Sequence, residues 1–496
     1  MSQSRGRVTT QDTKDTKGKK TSGESALTEI ELSPPNPPLW TTIRESLAGS
    51  HQGSYTDGSI DRAILLLAIP MVLELVLESV FAVVDVFFVS RLGPDAIATV
   101  GLTEAMMTLI YAVAMGLGVG ATATVARRMG ERDPDGAARA AVQAIALGLL
   151  IAVPVGLVGF SFSRPMLALM GATPDVLAHA SFTAILFGFN GVILMLFLIN
   201  AVFRGAGDAA IAMRVLWIAN AINICLDPCF IFGLGPFPRL GVTGAAVATT
   251  TGRGIGVLVQ LYFLSRSDGR IVIRRQHLRL DPKVMLSMMR LSGSAVLQML
   301  IGTTSYVGVM RILASFGSVA VAGCTIVIRI IMFVLMPSWG LSNAAATLVG
   351  QNLGANQPER AEASAWRACW YNVAVLGVLG VLFVVFADVV VGWFTRDPEV
   401  GAVATLGLRI ISAGFPFYAA GYVLTQSFNG AGDTVTPTLI NLGCFWMFEI
   451  PLSYVLGRSL GYGPSGVFWA MAIAFSVMSL VSAWLFRRGR WKLKRV

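Results

Sequence analysis

From residue 62 onward the chain alternates between long apolar runs and short polar breaks. The runs cover residues 62–90, 96–125, 137–162, 176–203, 209–232, 243–264, 284–314, 319–348, 362–391, 400–428, 435–456 and 464–486. Each is about 20 residues or longer, enough for a helix to cross the hydrocarbon core of a bilayer. The pattern predicts an all-α integral membrane protein with twelve transmembrane helices. The first run differs from the others. Between Pro70 and Leu92 it reads PMVLELVLESVFAVVDVFFVSRL and carries Glu74, Glu78 and Asp85. A carboxylate inside a spanning helix costs about 3 kcal/mol on insertion scales, so it faces a protein interior or a water-filled cavity. Positions 74, 78, 81 and 85 share one helical face, which Phe81 completes. Glu74, near the start of the run, is also placed to reach the interface. Pro70 removes one backbone hydrogen bond and supplies a bend.

Composition narrows the class. Of 496 residues, 54% are hydrophobic and 13% charged, about half the charged share of a soluble domain. Soluble enzymes are excluded, and the net charge of +10 reflects membrane orientation rather than nucleic-acid binding. Bases gather after the sixth run (Arg266 to Lys283), after the second (Arg127, Arg128, Arg132) and at the C-terminus (Arg487 to Arg495). By the positive-inside rule both termini are cytoplasmic, in a multi-pass protein of the inner (plasma) membrane. Residues 1–59 lack the apolar core of a secretory signal and read as a disordered cytoplasmic tail, with a short surface helix around Trp40 to Leu47.

The chain also repeats itself. Gly93, Gly116, Ala121, Val125, Gly130, Pro134 and Ala137 recur 224 residues later as Gly317, Gly340, Ala345, Val349, Gly354, Pro358 and Ala361. FRGAGD at 203–208 recurs as FNGAGD at 428–433, and Gly241 and Gly244 recur as Gly463 and Gly466. A repeat of six spans keeps its orientation, so two parallel six-helix lobes with a cleft between them are expected, a transporter architecture. The boundaries are an N-lobe at 60–265, a basic cytoplasmic linker at 266–283, a C-lobe at 284–486 and a basic cytoplasmic tail at 487–496.

The fifth run adds Asn223 and Asp227, four residues apart on one face, followed by Pro228. Asp85 and Asp227 fall in the outer parts of helices running the same way, so they can meet at one level, with Thr249 of the sixth run nearby. Two carboxylates, an amide and a hydroxyl can carry a proton, whose uptake relieves the repulsion of buried charges, or surround a hard cation such as sodium. The second lobe is less acidic. Its first helix offers Gln298 and Arg311, and beyond it lie Arg329 and Glu449, placed to pair, with Glu449 near the repeat position of Asp227. Asp388 reads as interfacial. Cys225 and Cys229 flank Asp227 one turn apart and read as packing residues rather than a metal site. No phosphate-binding G-x-x-x-x-G-K-[ST] loop and no catalytic histidine constellation is present.

These residues resemble the multidrug and toxic compound extrusion (MATE) family. The resemblance is carried by Pro70 to Gly93, FRGAGD at 203–208, NICLDP at 223–228, GVTGAAVAT at 241–249, LVGQNLGA at 348–355 and FNGAGD at 428–433. It implies a two-lobed exporter of organic, often cationic, amphipathic compounds in exchange for protons or sodium. It maps the family's first-lobe cation site onto Asp85, Asn223 and Asp227, with Ala245 and Thr249 at the matching outer-helix positions. Pro70 matches a proline whose bending is tied to protonation in some members. Phe81 stands where some members have a tyrosine and Glu78 where they have a neutral polar residue, and the acidic residue another branch carries on the seventh helix is missing.

The expectation is therefore a secondary active antiporter working by alternating access, not an enzyme. Asp85, Asn223, Asp227, Thr249 and Ala245 form its coupling site, Pro70 its helix bend, and Glu78 and Glu449 a relay or substrate counter-charge. No cofactor is expected beyond the coupling proton or Na+, the latter at Asp85, Asn223 and Asp227. Its partners are a small organic substrate and the lipid bilayer, with no nucleic acid, and it is expected to be a monomer. The competing readings are a flippase of lipid-linked saccharides, disfavoured because the clearest intramembrane charges are acidic, and a receptor or scaffold without turnover.

Overall fold

The protein is described by a computed structural model covering residues 38–49, 53–266 and 269–494. A short helix, α1 (Leu39–Ala48), precedes the first lobe: α2 (Ile60–Ser90), α3 (Pro94–Gly130), α4 (Pro134–Ser161), α5 (Ser163–Leu169), α6 (Pro174–Ala178), α7 (Ala180–Gly188), α8 (Asn190–Ala206), α9 (Ala209–Phe232) and α10 (Val242–Ser265). The second lobe follows with α11 (Pro282–Ala314), α12 (Ser318–Gly354), α13 (Pro358–Gly392), α14 (Pro398–Ala413), α15 (Phe415–Gly430), α16 (Val435–Asn441), α17 (Ile450–Tyr454) and α18 (Gly463–Arg487). Several helices start on an acid–proline signal. Asp133, Asp281 and Asp397 each accept a backbone N–H of the first turn, and the proline after each supplies a preset φ.

Among the described residues ten helical spans are long and apolar enough to cross singly, and two further spans are broken pairs, α7–α8 bent by 45° and α14–α15 by 54°. The apolar runs 176–203 and 400–428 predicted one helix each; polar chemistry breaks them. Asn190 donates to the carbonyls of Phe187 at 2.6 Å and Ala152 at 3.2 Å, taking an acceptor the helix would use. Pro416 removes an N–H just past the second break. Pro70, in contrast, is buried within the unbroken α2.

The repeat extends to the backbone. Gly93 and Gly317 cap α3 and α12 at φ 107° and 102°, and Arg132 and Asn356 adopt φ 58° and 57°. Phe162 (φ −112°, ψ 17°) ends α4, and Phe386 (φ −102°, ψ 19°) kinks α13 at the equivalent point. The lobes meet through α2 on α12 and α3 on α11, pairs that the repeat interchanges. A β-carbon on Gly116 would strike Val296, and one on Gly340 would strike Val72; Gly130 is closed by Gln351, and Gly354 by Arg127. Every member of each contact maps onto its counterpart 224 residues away, the mark of a two-fold relation. Gly130 and Gly354 end their helices on the side where α2 begins and α18 ends, so the lobes are packed together there.

Within the tail expected over residues 1–59, the short helix expected around Trp40 to Leu47 is present as α1, packed on other helices. Residues 1–37 and 50–52 lie outside the described residues, but α1 packs on α2 and α9, with Glu45 bridging Arg62 at 2.6 Å. Tyr55 is buried and donates to the Gly207 carbonyl at 3.0 Å. An apolar anchor inside a polar stretch was enough to dock it. The basic C-terminus also folds back. Trp491 is fully buried, stacked on Phe486 at 4.4 Å, while Lys492 pairs with Glu362 at 2.6 Å.

Candidate functional site

α2 turns its acidic face into the first lobe. Glu74, 2% exposed, accepts from Arg204 at 2.8 Å and from Asn200 at 3.0 Å, both on α8. Gln260 of α10 in turn donates to Asn200 at 2.7 Å. The expectation that Glu74 reaches the interface gives way to a buried network. One turn on, Glu78 accepts from Arg253 of α10 at 3.1 Å and from Asn220 of α9 at 3.0 Å. Arg253 is itself buried, 3.4 Å from the Tyr111 hydroxyl, with its guanidinium over the rings of Phe81 and Phe197 at 5.7 and 5.6 Å. Cation–π contact and a carboxylate together compensate a charge that burial alone would not tolerate.

Asp85 lies two turns beyond Glu78. It is half-buried, and its Oδ1 is sealed from solvent without a hydrogen-bond partner. The charges acting on it come from Glu104 on α3, Arg253 on α10 and Asp227 on α9. Asp227 is fully buried. The Asn223 amide, oriented by its partners, donates from nitrogen to Asp227 at 2.7 Å and accepts at oxygen from the Thr249 hydroxyl at 2.9 Å. Ala245 is buried one turn before Thr249, in an apolar cluster with Val89 and Ile231, and contributes a wall rather than a polar atom. The structure thus brings Asp85, Asn223, Asp227 and Thr249 together, with Ala245 beside them. Among the described residues no group of three or more His, Cys, Asp or Glu could hold a metal ion.

A cavity of about 530 Å³ lies between the lobes. Glu74, Glu78 and Glu449 line it, whereas Asp85 and Asp227 do not. The acidic face of α2 is therefore divided: its first two carboxylates meet the cavity and the third lies outside its lining, within electrostatic range of Asp227. Arg253 stands between the two, bonded to Glu78 and within electrostatic range of Asp85. The expected pairing of Arg329 with Glu449 is not formed; Arg329 is exposed on α12, and Glu449 accepts from Ser305 at 3.3 Å. Asp388 is exposed and paired with Arg409 at 2.6 Å.

The arginines are what the sequence reading missed. The clearest intramembrane charges are not only acidic, because Arg204 and Arg253 neutralise Glu74 and Glu78. The signal was present: Arg253 sits in the middle of the sixth apolar run, where the rule that singles out a carboxylate applies equally to a cation.

Two six-helix lobes related by a two-fold axis, with a cavity between them and ionisable groups buried beside it, define a secondary transporter by architecture. The MatE family profile matches residues 70–229 and 294–455, and the chain belongs to this family of transporters. It is 27% identical over 444 residues to "Probable multidrug resistance protein YoeA" of Bacillus subtilis (strain 168), covering 88% of this chain and 96% of that protein. Identity to "Probable multidrug resistance protein NorM" of Thermotoga maritima is 26%, covering 88% and 94% of the two chains. A solved structure titled "Outward-facing conformation of a multidrug resistance MATE family transporter of the MOP superfamily" matches with a TM-score of 0.83 at 25% identity, over 90% of this chain and 99% of that one.

Proposed function

We propose that the protein is a proton-coupled antiporter that exports organic cations across the plasma membrane by alternating access, with both termini in the cytoplasm. One observation carries the reading: the sealed Asp227–Asn223–Thr249 cluster adjoins Asp85, and Arg253 links Asp85 to Glu78 on the cavity wall. A cation entering the cavity competes with Arg253 for Glu78. A proton entering at Asp85 removes a charge that holds Arg253 from the other side, and one entering at Asp227 removes a charge beside Asp85. Each ligand thus alters the same arginine, and the coupling is reciprocal by linkage.

The hydrogen bonds at Asp227 suit a proton carrier. In the orientation its partners require, the Asn223 amide nitrogen donates to the charged carboxylate at 2.7 Å. The same amide can serve the protonated carboxyl by turning over, its oxygen accepting the new O–H while its nitrogen turns to Thr249. Close packing at Gly130 and Gly354 joins the lobes at the ends of α3 and α12, a contact that alternating access has to part. Pro70, below Glu74 on α2, supplies a point at which the helix can yield when its charges change.

The test is efflux of rhodamine 6G from proteoliposomes under separately imposed proton and sodium gradients. The proton gradient is expected to drive efflux, and D85N and D227N to abolish the coupling. Coupling retained in both variants, or a response to sodium alone, overturns the reading.

A further inference from the structure

Three carboxylates line the cavity, and two of them are neutralised within the protein, Glu74 by Arg204 at 2.8 Å and Glu78 by Arg253 at 3.1 Å. Glu449 is 5% exposed and differs from both. One oxygen accepts from Ser305 Oγ at 3.3 Å; among the described residues the other accepts no hydrogen bond, and no Lys or Arg stands within salt-bridge distance. A buried carboxylate so placed either holds a proton or is completed by a cation, and a cation reaching it from the cavity can displace the proton.

The backbone that holds it is built for the purpose. Leu442–Glu449 winds as π-helix, a rare geometry that recurs at functional sites, and Pro451 follows at once. The Ser305 hydroxyl also lies 3.1 Å from the Phe445 carbonyl, so its single proton is shared between the widened turn and the carboxylate. From Phe445, one turn before Glu449, aromatic rings follow in unbroken contact along the cavity wall. Phe445 meets Phe475 at 6.1 Å, Phe475 meets Tyr418 at 5.1 Å, Tyr418 stacks on Tyr422 at 5.6 Å, and Tyr422 meets Trp339 at 6.1 Å. Trp339 donates to the Tyr418 hydroxyl at 3.0 Å and Gln426 to the Tyr422 hydroxyl at 3.2 Å, which hold the rings in place.

We propose that Glu449 and this aromatic row form a second-lobe subsite for planar organic monocations. The carboxylate neutralises the charge, and the ring faces stack on the flat body and attract its positive end. This rests on the reading that the cavity carries organic substrates, and the experiment separates the two.

The purified full chain in detergent is titrated calorimetrically with ethidium, a planar monocation, and with Nile red, a planar neutral molecule. E449Q, which retains the Ser305 hydrogen bond, is expected to weaken ethidium by about 10- to 100-fold and to leave Nile red within about twofold. Y422L tests the aromatic half independently and is expected to weaken both ligands by about 5-fold. Ethidium bound equally by wild type and E449Q overturns the subsite while the transport reading stands. So does wild type that binds Nile red but not ethidium, or E449Q that loses both ligands alike, which would make Glu449 a structural group. Unchanged binding of both ligands by Y422L removes the aromatic row. Wild type that binds neither ligand overturns the transport reading and the subsite together.

Discussion

In the first lobe, α2 and α9 direct Glu74, Glu78, Asp85 and Asp227 inward, and arginines on α8 and α10 answer two of them. In the second lobe α11, the counterpart of α2, has no carboxylate, and Glu449 stands near the repeat position of Asp227, in a wall of aromatic rings. Yet the backbones agree in detail, down to the positive φ of Arg132 and Asn356. Duplication preserved what the two-fold interface needs, which is small residues at the crossings and caps at the helix ends. It left the inward-facing side chains free, because those are fixed by what they bind and not by how the lobes pack. One lobe answers two of its carboxylates with arginines, and the other surrounds Glu449 with aromatic and neutral polar side chains.

The strongest way to break that contrast is to remove the compensation. R253M leaves Glu78 facing Asn220 alone, with no cation for a carboxylate on the cavity wall. Removing one member of a buried pair costs about 3–5 kcal/mol, so a large fall in the thermal unfolding temperature of the detergent-solubilised protein is expected, along with loss of transport. The double variant E78Q/R253M should recover most of the stability without recovering coupled efflux. A double variant that couples normally would show that Arg253 is no link between the two sites. The double-mutant cycle gives the pair's interaction energy directly.

A smaller effect tests the shared frame. Gly130→Ala and Gly354→Ala each place a β-carbon against the opposing backbone, on Gln351 and Arg127 respectively. Overpacking of this kind costs about 1–3 kcal/mol, all of it charged to the state in which this contact is closed. Spin labels at Asp135 and Glu359, equivalent positions in the two lobes, should report a longer mean distance in both variants, shifted by similar amounts. Unequal shifts would mean that the two-fold relation is not respected in solution.

Much of this was legible beforehand, and the reasons are physical. Span length, basic loops and a repeat of glycines are all local in sequence, so the twelve crossings and two lobes could be read from it. The acidic face of α2 and the Asn223–Asp227 pair followed from helical periodicity alone. The breaks at Asn190 and Pro416 were not read because hydropathy averages over a single polar residue. The arginine partners were missed because pairing joins α2 to α8 and α10 across more than 100 residues, and no local pattern reports it. The π-helical turn before Glu449 left no signal in the sequence, and the expected pairing of Glu449 with Arg329 joined residues of separate helices that no local pattern could test.

The smallest expected effect concerns a pair that looks stronger than it is. Arg409 and Asp388 approach to 2.6 Å, closer than Arg253 and Glu78 at 3.1 Å. Their side chains are 44% and 68% exposed, against 4% and 20% for the first-lobe pair. Distance alone would rank the second-lobe pair higher. Solvent reverses the order, because an exposed pair gains little over its separately hydrated partners and is screened by salt, whereas a buried one leaves a stranded charge when it is broken. R409Q should therefore change stability by less than about 1 kcal/mol, an effect that shrinks further in high salt and leaves transport untouched. A loss comparable to that of R253M would mean that Asp388 is held away from water in the membrane. The second lobe would then own a compensated charge after all, and the contrast between the lobes would rest on Glu449 alone.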